Sequence, residues 1–187
     1  MKKIFIKTSI YVTLTIVILS CNLKNPVNES DEFALYSTKE VYDSVDGFDK
    51  MTPIVDHYIS IPTNQDLYRK ISILLDSVSA YNFNNLKIEV TGIDENENNY
   101  KILKINLKEN PGFKMPDSLG NYRSWYDFFQ GSMGGGRTTI ILTESTLQKQ
   151  YKGEWVDAVE FYYQNEKIEE MDHIFLSGII KRDLSGY

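Results

Sequence analysis

Cysteine is almost absent from this chain, with Cys21 as the one example, so an intrachain disulfide or a cysteine-based metal site is excluded. Histidine is nearly as rare, with two residues, which leaves few possible ligands for a metal site built on histidine. Basic residues are outnumbered by acids, 20 to 26, and they form no dense cluster. We therefore expect no nucleic-acid partner and no attraction to an anionic membrane surface. An apolar run of the ~20 residues needed to cross a bilayer is also lacking.

The N-terminus has the pattern of an export signal. Lys2, Lys3 and Lys7 precede an uncharged, apolar stretch over residues 10–19. The quartet Ile18-Leu19-Ser20-Cys21 then resembles the lipobox of bacterial lipoproteins, in which a small residue precedes a cysteine that receives lipid, such as palmitate. The alternative, an uncleaved anchor, is disfavoured because the apolar stretch is short. We predict a signal peptide over 1–20 and lipidation at Cys21, outside the cytoplasm at the cell membrane or outer membrane.

Removal of residues 1–20 deletes three lysines and no acid, and so takes the formal net charge from −6 to −9. Residues 21–32 are polar and are predicted to form a flexible tether. The remaining length suits one folded domain over 33–180, followed by a short tail at 181–187.

The first half of the domain is predicted to contain four strands and a helix. Short strands are expected at 33–36 and 53–61. A helix capped by Thr63 or Asn64 follows, with Leu67, Ile71, Leu74, Leu75 and Val78 on its buried face. Alternating residues at 86–90 and 103–107, separated by a polar turn at 94–99, predict an antiparallel hairpin. The segment 37–50 shows no clear pattern.

The second half is harder to interpret. Residues 109–131 are expected to be irregular, and their aromatic residues either cover the core, which we favour for a segment of this length, or face a partner. For 138–151 both a helix and a strand are possible, and we choose a helix, with the glycines at 134–136 as its flexible lead-in. A strand at 155–163 and a turn at 164–167 complete the order. This order indicates an α+β fold, with an antiparallel or mixed sheet and two main helices packed on one face.

Several short motifs, taken in order, resemble the GerMN domain family of sporulation and spore-germination proteins. They are Phe33-Ala34-Leu35-Tyr36, Pro53-Ile54, Leu74-Leu75, Gly131-Ser132-Met133-Gly134-Gly135, Ser145-Thr146-Leu147-Gln148, Val159-Glu160-Phe161-Tyr162, Asn165-Glu166-Lys167 and Asp172-His173-Ile174-Phe175-Leu176-Ser177. The chain departs from the family at Asp76-Ser77, where Gly-Pro is common, and at Asp172, where glycine is common. The resemblance covers about residues 33–179. It implies a compact α/β module, related in shape to domains that assemble into rings or envelope scaffolds and commonly found on lipoproteins or membrane-anchored proteins. It implies no established catalytic set.

The segment 131–138 has the Gly-x-x-x-x-Gly-basic-Thr spacing of a phosphate-binding P-loop, with Arg137 in place of lysine. A P-loop follows a buried strand and opens a helix. The preceding segment is a poor strand, so we expect no nucleotide site.

The pairs Asp56-His57 and Asp172-His173 suggest catalysis or metal binding. Neighbouring residues on a strand point to opposite faces, however, so we expect neither aspartate to contact its own histidine. Ser132 lies outside a Gly-x-Ser-x-Gly motif, and no histidine partner can be assigned to it from the sequence. The acids Glu166, Glu169, Glu170 and Asp172 lack the ligand order of a calcium loop. We therefore predict no metal, no cofactor and no catalytic residue.

The sequence thus favours a non-enzymatic, membrane-tethered interaction module of the cell envelope. Its expected contacts with a protein partner are sheet edges and the aromatic residues Tyr122, Trp125, Tyr126, Phe128 and Phe129. Self-association remains open. The alternative is a small-ligand-binding protein or envelope hydrolase that uses Gly131, Ser132, Gly134, Arg137 and His173.

Overall fold

A computed structural model describes residues 29–114 and 122–185. The elements in chain order are β1 (Ser30–Asp43), β2 (Phe48–Pro62), α1 (Leu67–Asn82), β3 (Lys87–Glu95), β4 (Lys101–Lys108), α2 (Trp125–Phe129), α3 (Ser132–Leu147), β5 (Ala158–Tyr163), β6 (Glu166–Lys167) and β7 (Ile179–Lys181). The fold is α+β, as expected, with one antiparallel sheet, one mixed sheet and two main helices in a single compact domain.

The first sheet is a long antiparallel hairpin of β1 and β2. The predicted strands at 33–36 and 53–61 lie in its inner half, and the segment 37–50 that showed no pattern forms most of its outer half and its turn. The turn is closed by a hydrogen bond from the Gly47 amide to the Asp43 carbonyl, 2.8 Å long. Gly47 has a φ of 75°, which glycine adopts without strain. Ser30, Asp31 and Glu32, assigned to the tether from the sequence, belong to β1.

The predicted helix after the hairpin is confirmed as α1. Ile71, Leu74, Leu75 and Val78 are buried along one face, as their spacing requires. The predicted cap is wrong, because the N-cap is Asp66, whose carboxylate accepts the Arg69 amide proton. Thr63 and Asn64 instead lie between the strand and the helix.

The second sheet has the strand order β3-β4-β5-β6, with β7 also paired to β5. The predicted hairpin of β3 and β4 is confirmed. The next pairing, of β4 with β5, is parallel. Parallel neighbours need a crossover connection, and α2 and α3 lie within it.

The choice of a helix over a strand for the segment after the glycines is confirmed, but its bounds are wrong. Helix α3 begins at Ser132, so the glycines at 134–136 form its first turns and are no flexible lead-in. It ends at Leu147, before Tyr151. The run at 125–129 is helical as well, as the five-residue α2.

At the C-terminal side, β5 starts at Ala158, three residues later than predicted, although Trp155 and Val156 are already buried. The two-residue turn into β6 has positive φ at Gln164 and at Asn165, 52° and 71°. Two such residues are typical of the tight turns that join antiparallel strands. The last strand, β7, returns to pair with the other end of β5.

The hairpin is attached to the helices through its strand β1. The Gln148 side chain accepts the Ala34 amide proton at 2.9 Å and donates to the Ala34 carbonyl at 2.7 Å. Ser145 accepts the Tyr36 amide proton through its hydroxyl at 3.1 Å. These two side chains therefore occupy the edge of β1 that faces away from β2 and give its buried backbone the partners that water would otherwise supply.

Two further contacts support this attachment. The Lys70 ammonium of α1 lies 2.7 Å from the Asp31 carboxylate of β1. The Phe33 ring packs against Tyr151 and Trp155, with ring centroids 4.7 and 4.9 Å apart. Phe33 is fully buried, so the start of β1 belongs to the same core as the helices and the mixed sheet.

The predicted signal peptide, Cys21 and most of the predicted tether lie outside the described residues. Within 29–114 and 122–185, no helix combines the length and the apolar content that a bilayer-spanning segment requires.

The attachment of β1 makes stability sensitive to alkaline pH. Burial and, next, the hydrogen bond to Asp31 raise the pKa of Tyr151 from its ordinary 10.0 to about 12. A raised pKa in the folded state means that this contribution to stability is complete below pH 10 and is lost between about pH 10 and 12. We expect the free energy of unfolding to decline less steeply in this window for Tyr151→Phe than for the wild type. Urea denaturation at a series of pH values measures both slopes, and equal slopes would contradict the assignment.

Candidate functional site

A surface depression among the described residues runs beside the first three turns of α3, and we call it the α3 groove. Its inner part has a volume of about 330 Å³. It is lined by the end of α1, the aromatic segment and one face of α3, namely Asn82, Phe83, Asn84, Tyr122, Phe128, Gly134, Arg137, Thr138 and Ile141.

An outer part of about 360 Å³ continues from the inner part toward the hairpin. The two parts share Tyr122, Gly134 and Arg137. The outer part adds Thr38 and Glu40 from β1, Met51 from β2 and Met133 from α3. The groove therefore lies where the hairpin, both main helices and the aromatic segment meet.

Helix periodicity explains which residues of α3 reach the groove. Gly134, Arg137, Thr138 and Ile141 follow the spacing i, i+3, i+4 and i+7, which places them on one helical face. Gly134 exposes bare backbone there, and an added Cβ would meet only the Phe128 carbonyl at 3.8 Å. The Thr138 hydroxyl donates to that same carbonyl at 2.9 Å, which joins the buried side of α3 to the aromatic segment.

Arg137 supplies the positive charge of the groove. Its side chain is exposed, and no hydrogen bond or ion pair joins it to another residue of the described part of the chain. Phe83 and Ile141, 1% and 2% exposed, give the inner part an apolar floor. The groove thus combines an unpaired guanidinium with an apolar base.

Tyr122 forms one wall in a strained backbone conformation. Its φ of 49° is rare for an aromatic residue and costs of order 1–3 kcal/mol. The Asn84 side-chain amide donates to the Tyr122 carbonyl at 2.8 Å, and the tyrosine ring packs on Phe128. Strained residues that are held in place in this way occur often at ligand-binding sites.

The aromatic residues that were candidates for partner contacts do not form one exposed surface. Trp125 is fully buried and Phe129 nearly so, while Tyr126 and Phe128 are half-buried, and only Tyr122 is exposed. Trp125 and Phe129 are therefore unavailable to a partner in this conformation, because their rings pack in the core.

Glu109 explains why the aromatic segment packs inward. Its carboxylate accepts the amide protons of Trp125 and Tyr126 at 3.0 and 2.9 Å, at the start of α2. It also accepts the Tyr163 hydroxyl proton at 2.9 Å. Burial and then this carboxylate raise the pKa of Tyr163. A negative charge at a helix N-terminus is favourable, and here it joins α2 to β5.

The edge of β3 is likewise partly occupied by side chains. The Trp125 indole donates to the Lys87 carbonyl at 3.2 Å, and the Tyr68 hydroxyl donates to the Val90 carbonyl at 2.9 Å. These donors take acceptors that an added strand would need. This edge is therefore a poor site for strand addition.

Ser132 and His173 do come together, although the sequence assigned Ser132 no histidine. The Ser132 hydroxyl lies 3.3 Å from His173 Nδ1, at the exposed start of α3. Among the described residues no carboxylate bonds the other ring nitrogen, and Asp172 is exposed. A serine hydrolase needs such a group to orient its histidine. Among the described residues, the Ser132–His173 pair therefore lacks the carboxylate that would complete a catalytic triad.

His57 and Asp56 contradict the expectation that neighbouring strand residues point apart. His57 Nδ1 lies 2.9 Å from the Asp56 carboxylate. The reason is a β-bulge, because Leu35 pairs with His57 while Tyr36 pairs with Val55, leaving Asp56 as the extra residue. A bulge interrupts the alternation of side chains. The His57 ring also packs on Tyr81, with centroids 4.1 Å apart.

The glycine-rich segment cannot act as a P-loop in this conformation. Its glycines lie within α3, where the helix ladder begins with a bond from the Gly135 amide to the Gly131 carbonyl. A P-loop instead wraps free backbone amides around phosphate. No group of three or more His, Cys, Asp or Glu side chains in 29–114 or 122–185 is arranged to hold a metal ion. The acids Glu166, Glu169, Glu170 and Asp172 are all exposed.

Gly135 has a packing role that the sequence did not reveal. A Cβ at this position would lie 2.8 Å from the backbone carbon of His173 and closer still to its carbonyl oxygen. The loop that contains His173 therefore packs directly against the α3 backbone, and the Phe175 backbone amide donates to the Thr139 hydroxyl on the same helix.

Gly135→Ala should lower the free energy of unfolding by about 1–3 kcal/mol, because the new methyl group overlaps backbone. Gly136→Ala is the matched control, since an added Cβ there meets nothing within 4 Å. It should raise stability by up to about 1 kcal/mol through helix propensity. Urea denaturation followed by circular dichroism measures both, and a stabilised Gly135→Ala variant would contradict the packing.

Comparison with known proteins gives no relative: no family model matches the chain, and neither does any curated protein or solved structure.

Proposed function

We propose that this chain is a non-enzymatic, membrane-tethered interaction module of the cell envelope, and that the α3 groove is its contact surface. The observation that carries the proposal is the unpaired Arg137 guanidinium above an apolar floor. Arginine and partly exposed aromatic residues are enriched at the centres of protein interfaces. In the proposal the groove replaces the aromatic run as the main contact surface, because Trp125 and Phe129 are buried.

The tether rests on the sequence. The lysines at 2, 3 and 7, the apolar stretch at 10–19 and Ser20-Cys21 favour export and lipidation. Strand β1 begins nine positions after Cys21, a stretch that can span at most about 30 Å. A domain on such a tether stays close to the bilayer, where envelope partners are located. The resemblance to the GerMN family supports the same proposal.

A second candidate is an envelope hydrolase or small-ligand-binding protein centred on Ser132 and His173. Its supporting observation is the 3.3 Å approach of the Ser132 hydroxyl to His173 Nδ1. We rank it lower because the histidine has no orienting carboxylate among the described residues.

The test is photo-crosslinking in intact cells, with a photoreactive residue in place of Met133, which is exposed in the outer part of the groove. We expect one discrete partner product, whose yield Arg137→Ala lowers about tenfold, as for loss of a charge-assisted hydrogen bond. Arg69→Ala is the matched control, an exposed arginine on α1 outside the groove, and should leave the yield unchanged. Cys21→Ala should release the product from the membrane fraction.

A photoreactive residue at Asn98, in the exposed turn between β3 and β4, is the control for position. The same product from Asn98 as from Met133, or a product that is insensitive to Arg137→Ala, would contradict the groove as the contact surface. Loss of the product in Ser132→Ala and His173→Ala, with Arg137→Ala unaffected, would favour the second candidate.

A further inference from the structure

We infer that the α3 groove binds the free C-terminal carboxylate of a partner polypeptide whose last residue is apolar. This inference rests on the proposed function, in which the groove is the contact surface, and it names the chemistry of the occupant.

The terminal carboxylate of the proposed partner is inferred from Arg137. Of the described residues that line the groove, Arg137 is the one cation, and it lines both parts. A guanidinium offers two parallel N–H donors, a geometry that matches the two oxygens of a carboxylate. The protein carries an excess of acids, yet Glu40, which also lines the outer part, makes no ion pair with Arg137. An anion from outside would satisfy this arginine.

The apolar last residue of the proposed partner is inferred from the apolar floor of the inner part of the groove. Phe83, Phe128 and Ile141 supply ring and aliphatic surface there. Arg137 and Ile141 lie four residues apart on α3, which is about 6 Å along the helix axis. A terminal amino-acid residue carries its carboxylate and its side chain on one carbon atom, so a single residue can reach both. A phosphate group would leave the apolar floor uncovered.

The rest of the partner chain would leave through the outer part. This part is bounded by the hairpin, and it offers Glu40, the Thr38 hydroxyl and the apolar side chains of Met51 and Met133. The Glu40 carboxylate favours amide donors or a basic side chain upstream of the terminus. The groove thus presents a positive group for the carboxylate and a negative one for the preceding residues, which sets the direction of the bound peptide.

The experiment measures fluorescence anisotropy of labelled pentapeptides with the full chain in detergent. The reference peptide has lysine near its start and leucine at its end, and it is made as the free acid and as the C-terminal amide. We expect the acid to bind about tenfold more tightly than the amide, and more tightly than a peptide ending in serine. Arg137→Ala should abolish the preference for the acid, whereas Arg69→Ala should retain it.

Equal binding of acid and amide, or a preference that survives in Arg137→Ala, would overturn the inference. Competition by decanoate as strong as by the peptide would also overturn it, since a fatty acid would then be the occupant. If no peptide binds while crosslinking at Met133 still depends on Arg137, the contact surface stands and the C-terminal inference fails. If crosslinking is also absent, both fail.

Discussion

Of the contacts that hold the hairpin against the helices, the side chain of Gln148 is the one that pairs with both backbone groups of a single residue, Ala34, as a neighbouring strand would. Gln148 is 2% exposed and has a φ of 45°, just after the end of α3. Its side-chain amide also donates to the Ser145 carbonyl, so the orientation of the side chain is set by the helix that Gln148 follows. In a buried setting an unsatisfied amide or carbonyl costs about 1–3 kcal/mol. The interaction therefore attaches β1 to the helices and also fixes its position.

The groove depends on this attachment because its outer wall belongs to the hairpin. Thr38 and Glu40 follow Ala34 along β1, and Met51 pairs with Glu40 from β2. Its inner wall is held separately, by the Asn84 hydrogen bond to Tyr122 and by the packing of Phe128 on Phe83. Two independent sets of contacts thus fix the two sides around Arg137. A site assembled in this way can be weakened on the hairpin side without disturbing the core.

The sequence predicted the elements whose periodicity reflects burial. The predictions of helix α1 and of the hairpin of β3 and β4 are confirmed. Their apolar periodicity is clear because Leu74, Leu75, Leu103 and Ile105 face the core. The outer half of the first hairpin was missed, since residues 39–50 are largely exposed and their pairing leaves no apolar alternation. The start of α3 was missed because glycine usually disfavours a helix, whereas Gly135 is required there by the backbone of His173.

The candidate site was predicted only in part, for a related reason. Gly134, Arg137 and Tyr122 were all singled out, but as members of two separate hypotheses, a loop and an aromatic surface. Gly134 and Arg137 share the face of α3 that borders Tyr122 in the groove, and that face could be recognised only once the glycines were known to be helical. The contact of Asp56 with His57 depends on a bulge, for which the sequence gives no local signal.

The central claim, that Gln148 positions the hairpin and hence the outer wall of the groove, is tested most directly by native-state hydrogen exchange on Gln148→Ala. We predict faster exchange at the Ala34 and Tyr36 amides, with the amides of Leu103 and Ile105 in β4 still protected. Unchanged protection at Ala34 and Tyr36, or an equal loss of protection in β4, would contradict the account.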